Sequence, residues 1–119
     1  MLDEKRIKEA ETNVRIYLQD GLLKKAKNET AKRMYIGNSD LSLETAKRLL
    51  EIETNVYKPY LWIIVCSYYS MFYIANAVLL EFGYKVSEKI SHKVTADSLI
   101  VFVRNKLKKE LLEGYEEIK

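Results

Sequence analysis

One stretch of the chain, from Pro59 to Phe82, constrains the fold more than any other. Between Tyr60 and Leu80 only Ser67, Ser70 and Asn76 are polar, and none of the residues is charged. The proline that opens the stretch suits the first turn of a helix, and the glycine that follows it suits a helix end. The stretch therefore predicts a helix with no polar face, which other helices must surround.

A membrane-spanning helix is the alternative interpretation, because about 20 uncharged residues are enough to cross a bilayer. Against it, Tyr68, Tyr69 and Tyr73 would lie near the middle of the bilayer, whereas membrane tyrosines concentrate at the interfaces. The flanking segments also carry apolar stripes that need an interior partner. We therefore expect a soluble core helix and no membrane contact.

Amphipathic segments precede this stretch. Apolar residues spaced three and four apart predict one or two helices from about Asp3 to Tyr35, with a kink or break at Asp20-Gly21. The turn formers Gly37-Asn38-Ser39-Asp40 predict a loop. Asp40 or Ser42 would then cap a further helix, which ends near Thr54 to Tyr57.

A polar connection and one more helix follow the apolar stretch. The connection covers Gly83 to Ser91, and Ser91 or Thr95 can cap a last helix that carries Leu99, Val103 and Leu107 at a spacing of four. No alternating pattern is long enough to predict a strand.

The length of 119 residues suits one hydrophobic core, so we expect a single domain over residues 1–119. The predicted fold class is all-α, an antiparallel up-and-down bundle of four to five helices with a central apolar helix. A charged N-terminus without a secretory signal and a single cysteine, Cys66, favour the cytoplasm.

Basic residues are concentrated late in the chain. Between Lys85 and Lys109 seven Lys or Arg stand against two acids, Glu88 and Asp97, although the formal net charge is only +3. Such a run is either a solvated helix face or a phosphate-binding surface.

His92 is the only histidine, so one chain cannot supply a multi-histidine metal site. Its place at a predicted helix N-terminus disfavours the charged ring and leaves a neutral imidazole as a candidate base. The acids Glu113, Glu116 and Glu117 are interpreted as a solvated terminus. We expect no metal and no cofactor.

Three short motifs occur in a fixed order. They are Tyr68-Tyr69-Ser70-Met71-Phe72, then Leu79-Leu80-Glu81-Phe82-Gly83, and after the connection Ser91-His92-Lys93. Together they resemble the core of a HEPN domain, in particular the small archaeal and bacterial group. Ser70 and Tyr73 stand where that pattern usually has Ala and His.

The resemblance implies an antiparallel helical bundle that forms two-fold dimers and is often encoded beside a minimal nucleotidyltransferase. It leads us to expect a homodimeric binding or regulatory protein that partners a nucleotidyltransferase and binds nucleotide or RNA. The phosphate-binding candidates are Lys85, Lys89, Lys93 and Arg104.

The alternative that the resemblance offers is a metal-independent ribonuclease, the toxin of a toxin–antitoxin pair, with His92 as the catalytic acid or base. Active members carry an arginine with the histidine four to six residues after it. Here no arginine stands at that distance, and Lys85 is at the outer limit, with six residues between it and His92. Lysine lacks the planar donor fork of arginine, so the binding role is preferred.

The family usually continues into one more helix after the one that carries Phe102. Here we expect that helix to be shortened or absent, which would leave apolar surface for a second copy to cover.

Overall fold

The chain is mostly α-helical in a computed structural model, which describes residues 2–52, 58–87 and 92–118. The elements in chain order are α1 (Glu4–Asp20), β1 (Leu23–Lys25), α2 (Glu29–Leu50), α3 (Tyr60–Glu81), β2 (Tyr84–Val86), α4 (His92–Ser98), a π-helical turn (Leu99–Val103) and α5 (Arg104–Ile118). The all-α fold class is thereby confirmed. The predicted cap Ser91 and the predicted helix end at Thr54 to Tyr57 lie outside the described residues.

The chain forms two compact units. The first unit comprises Met1–Lys27 and Val78–Lys119, and the second comprises Asn28–Ala77. The single domain expected from the length stays a prediction.

The first helix of the first unit begins and ends at residues suited to those positions. The Asp3 carboxylate accepts a hydrogen bond from the Arg6 amide at 2.8 Å and caps the N-terminus of α1. Gly21 ends the helix in the left-handed conformation, at φ 75°, and its amide donates to the Tyr17 carbonyl. The predicted break at Asp20-Gly21 is confirmed.

Two short strands follow α1 and α3 and pair antiparallel, so the expectation of no strand was wrong. Leu23 is opposite Val86, Lys24 opposite Lys85 and Lys25 opposite Tyr84. Each strand has only three residues, too few for alternation to be visible in the sequence, and their pairing joins segments about 60 residues apart.

The core of the first unit gathers residues from six elements. It contains Val14, Leu23, Leu79, Val86, Val94 and Val103, all buried. Phe102 also packs against it, and its ring stacks on that of Tyr84 with centroids 3.8 Å apart. This core holds the two strands and the start of α4 in fixed positions.

The second unit is built from α2 and most of α3. The Ser39 hydroxyl donates to the Ser70 carbonyl at 2.8 Å, and the Ser70 hydroxyl donates to the Ser39 carbonyl at 2.9 Å. The rings of Tyr35 and Tyr73 stack with centroids 6.2 Å apart. Tyr35 precedes Ser39 in α2, whereas its partner Tyr73 follows Ser70 in α3. The two helices therefore run antiparallel.

The loop predicted at Gly37 to Asp40 was wrong, because α2 continues through it without a break. Turn propensity is a weak preference, and the buried serine pair between α2 and α3 outweighs it. Asn28 instead caps α2, accepting from the Ala31 amide at 2.9 Å.

The predicted apolar helix exists as α3, but the expectation that protein surrounds it on all sides was wrong. Only 28% of its most apolar 18-residue window is buried. Large apolar side chains of α3 are exposed, among them Leu61, Trp62 and Ile64. An apolar composition excludes a polar face but does not say what covers the helix.

Among the described residues, α3 is also the one helix long and apolar enough to cross a membrane, with a mean hydropathy of 1.7. That criterion rests on length and composition alone, and the core helix of a soluble protein meets it equally well.

Candidate functional site

The strand pair of the first unit places two lysines directly opposite each other. Leu23 and Val86 are both buried and fix one face of the pair against the core. Successive side chains of a strand point to opposite faces, so Lys24 and Lys85 share the other face. We call the pair Leu23–Lys25 and Tyr84–Val86 the basic ribbon.

Backbone hydrogen bonds extend the ribbon by one residue at each end. The Ala26 amide donates to the Gly83 carbonyl at 2.9 Å, and the Ser87 amide donates to the Leu22 carbonyl at 2.9 Å. Gly83 adopts φ 93°, which a side chain rarely permits, and so turns the chain from α3 into β2. These hydrogen bonds fix the position of the backbone that carries the lysines.

A cavity of about 390 Å³ lies against the lysine-bearing part of the ribbon. Among the described residues it is lined by the three lysines Lys24, Lys25 and Lys85, together with Gly21, Ala26, Val86 and Ser87. Among the described residues no carboxylate forms an ion pair with any of the three. Like charges directly opposite in a strand pair are unfavourable, so a bound anion would relieve repulsion here.

A second cavity of about 340 Å³ shares Lys25 and Ala26 with the first and combines charge with aromatic rings. Lys27, Phe82, Gly83 and Tyr84 complete its lining. The Lys106 ammonium lies 4.9 Å from the centroid of the Phe82 ring. Lysines beside aromatic faces are the groups that contact phosphates and bases in single-stranded nucleic acids.

The five site residues proposed from the sequence do not all line one cavity. Lys85 lines the first cavity, whereas His92 and Lys93 are exposed residues at the beginning of α4 and line neither ribbon cavity. Arg104 lines a separate apolar cavity of about 200 Å³, with Leu99 and Val103 among its neighbours. Lys89 lies outside the described residues.

Lys24 and Lys25 were missed by sequence reasoning, although a lysine pair directly after two leucines is visible in the chain. Their importance depends on the strand pairing that brings them to Lys85. The basic run after Lys85 was found because its charges are local in sequence.

A buried carboxylate holds α4 against α1. Asp97 is fully buried, and its Oδ1 lies 2.7 Å from the Arg6 Nη1 atom. Its Oδ2 accepts hydrogen bonds from the Tyr17 hydroxyl at 2.7 Å and from the Asn13 amide at 3.2 Å. The run from Lys85 to Lys109 thus has one of its two acids turned inward.

The same cluster changes the ionisation of its members. Burial, followed by the hydrogen bond to Asp97, raises the pKa of Tyr17 to about 12. The hydrogen bond from Arg6 to Asp97 raises the pKa of the guanidinium. Both shifts favour the protonation states that hold the helices together, so we assign the cluster a structural role.

Among the described residues there is no group of three or more His, Cys, Asp or Glu side chains that could hold a metal ion. Comparison with family models, with curated proteins and with solved structures finds no match to this chain.

Proposed function

We propose that this chain is a HEPN-like binding protein of the cytoplasm that holds the phosphates of a nucleotide or RNA at the basic ribbon. The observation that carries the proposal is the cross-strand pair Lys24 and Lys85, with Lys25 in the same cavity wall. Ammonium groups bind phosphate as mobile point charges. The neighbouring rings of Phe82 and Tyr84 add a surface suited to bases.

We prefer binding to RNA cleavage because His92, the candidate acid or base, does not line the cavity that the lysines line. His92 begins α4 and is not part of the wall that Lys24, Lys25 and Lys85 form. A general acid or base must reach the reacting oxygen within hydrogen-bond distance. The lysine cavity supplies charge, and among the described residues that line it none besides the lysines carries a side chain suited to that task.

The proposed protein partner is a nucleotidyltransferase, and the support for it is the order of the Tyr68-to-Lys93 motifs. Co-expression with the nucleotidyltransferase of a neighbouring gene tests it directly. A stable complex on size-exclusion chromatography is expected. If the protein does not co-purify with such an enzyme, the proposed partner is wrong, and the proposal of phosphate binding is unaffected.

The ribbon is tested by fluorescence anisotropy with a labelled single-stranded oligouridine, and by competition with ATP. The Lys24→Ala/Lys85→Ala double variant should bind roughly tenfold or more weakly. The matched control is Lys5→Ala/Lys8→Ala, which removes two exposed lysines from α1 and the same net charge. Equal loss in both variants would show non-specific attraction and contradict the proposal.

A further inference from the structure

The cavity that Arg104 lines is separate from the ribbon cavities and has an otherwise apolar lining. Among the described residues its volume of about 200 Å³ is lined by Arg104 and by five apolar residues, Leu2, Leu99, Ile100, Val103 and Leu107. Leu2 and Leu107 are each 47% exposed, whereas Val103 is 2% exposed and belongs to the core. This cavity, which we call the Arg104 cavity, therefore opens to solvent on one side and reaches the core on the other.

The Arg104 side chain has a donor that the described part of the chain does not use. Its Nε atom is buried and makes no hydrogen bond to any described residue. No carboxylate among the described residues forms an ion pair with this arginine either. A buried donor without a partner costs free energy, so an acceptor bound in the cavity would be favoured.

The π-helical turn from Leu99 to Val103 explains how an arginine comes to line this cavity. The Arg104 amide donates to the Leu99 carbonyl, five residues earlier. In a regular α-helix, residues five apart lie about 140° around the axis from each other. Here Leu99 and Arg104 both line the cavity. Such turns are rare and are often found at functional sites, which favours a binding role for this wall.

We propose that the Arg104 cavity binds an unbranched carboxylic acid of about six to eight carbons, with its carboxylate on Arg104 and its chain against the apolar wall. A volume of about 200 Å³ equals that of roughly seven water molecules in the liquid, which sets this chain length. A guanidinium binds a carboxylate through two parallel hydrogen bonds. The hydrocarbon chain would leave water for the surface of the five apolar residues.

A phosphate, for which the sequence made Arg104 a candidate, fits this cavity less well. A phosphate group keeps most of its oxygens hydrated, and the described residues of this cavity offer no polar side chain besides Arg104 to replace that water. A carboxylate carries a single charge, which one guanidinium neutralises. Its chain also gains from the apolar wall, whereas a phosphate gains nothing there.

The first test is a titration of the ¹⁵N-labelled full chain with octanoate, followed by the amide shifts of residues 99–107. We expect saturable binding with a dissociation constant below about 1 mM. Each methylene added from butanoate to octanoate should tighten binding about threefold to fourfold. Shifts that do not saturate at millimolar octanoate, or equal affinities for butanoate and octanoate, would overturn the proposal.

The role of Arg104 is tested by comparing octanoate with 1-octanol, which has the same chain without the charge. The unchanged protein should bind octanoate roughly tenfold or more tightly than the alcohol, and Arg104→Gln should lose this preference while still binding the alcohol. Because the preference is a ratio within one variant, a loss of stability does not imitate it. Equal affinities in the unchanged protein, or a preference that survives in Arg104→Gln, would contradict the proposal.

Two further variants serve as controls. Arg15→Gln removes the same charge from an exposed position of α1 and should keep the preference for octanoate. Lys24→Ala/Lys85→Ala alters the ribbon and should also bind octanoate as the unchanged protein does. Loss of octanoate binding in the ribbon variant would place the acid at the ribbon and overturn its assignment to the Arg104 cavity.

Discussion

Lys24 and Lys85 occupy directly opposite positions in an antiparallel strand pair, on the face away from the core. Two ammonium groups in such positions repel each other when nothing lies between them. We expect their placement to lower the stability of the free protein and to raise its affinity for an anion.

Lys85→Glu should stabilise the protein and abolish phosphate binding. The substitution replaces a repulsive cross-strand pair with an attractive one, which should raise the free energy of unfolding by about 0.5 kcal/mol. Urea unfolding measures that change, and anisotropy with labelled oligouridine measures the loss of binding. A variant that loses stability, or binds as before, would show that Lys24 and Lys85 do not act as a pair.

The salt dependence of binding should reveal how many lysines contact phosphates. Each phosphate contact with a single strand contributes about 0.7 to the slope of log affinity against log salt. Removing Lys24 and Lys85 together should therefore lower the slope by about 1.4, whereas the control at Lys5 and Lys8 should leave it unchanged. Identical slopes for the two variants would exclude direct contact at the ribbon.

Asp97→Ala should destabilise the protein by about 3 kcal/mol, because it takes away the buried carboxylate that pairs with Arg6 and Tyr17, which are themselves partly buried. Urea unfolding compares it with Glu11→Ala, which removes an exposed carboxylate from α1 and should change stability little. A comparably small change at Asp97 would contradict the role assigned to the cluster.

Tyr17 should make stability depend on alkaline pH. Its pKa in the folded chain is about 12, above the ordinary value of 10.0, so folding favours the neutral phenol. Its contribution is complete below pH 10 and is lost as the pH rises through 12. The difference in unfolding free energy between the unchanged protein and Tyr17→Phe should therefore shrink between pH 9.5 and pH 11.5. A constant difference would show that the phenol is not held neutral.

Gly37→Ala should stabilise the protein by about 0.5–1 kcal/mol. Gly37 lies inside α2, and an added Cβ would meet nothing within 4 Å. The matched change Gly83→Ala should destabilise, because Gly83 has φ +93°. Thermal unfolding compares the two, and destabilisation by Gly37→Ala would mean that α2 is interrupted there.

Local signals predicted much of the fold. Gly21, in the left-handed conformation, ends the first helix at the predicted position. The proline at position 59 directly precedes the beginning of α3, as predicted. The loop expected at Gly37 to Asp40 failed because the bonds between Ser39 and Ser70 are made across two helices. Helix and turn propensities of a short stretch of sequence do not include contacts with a distant helix.

The candidate site was predictable only in part. Lys85 was recognised from a local concentration of charge, while Lys24 and Lys25 acquire their role through a pairing across about 60 residues. The exposure of α3 could not be predicted either. A helix has the same apolar sequence whether residues of its own chain or another molecule cover it.

The most direct test of phosphate binding at the ribbon is a titration of the ¹⁵N-labelled protein with ATP, followed by amide chemical shifts. We expect the largest shifts at Lys24, Lys25, Lys85 and Ser87, and we expect them to disappear in Lys24→Ala/Lys85→Ala. Shifts confined to His92 and Lys93, or no shifts at millimolar ATP, would contradict this expectation.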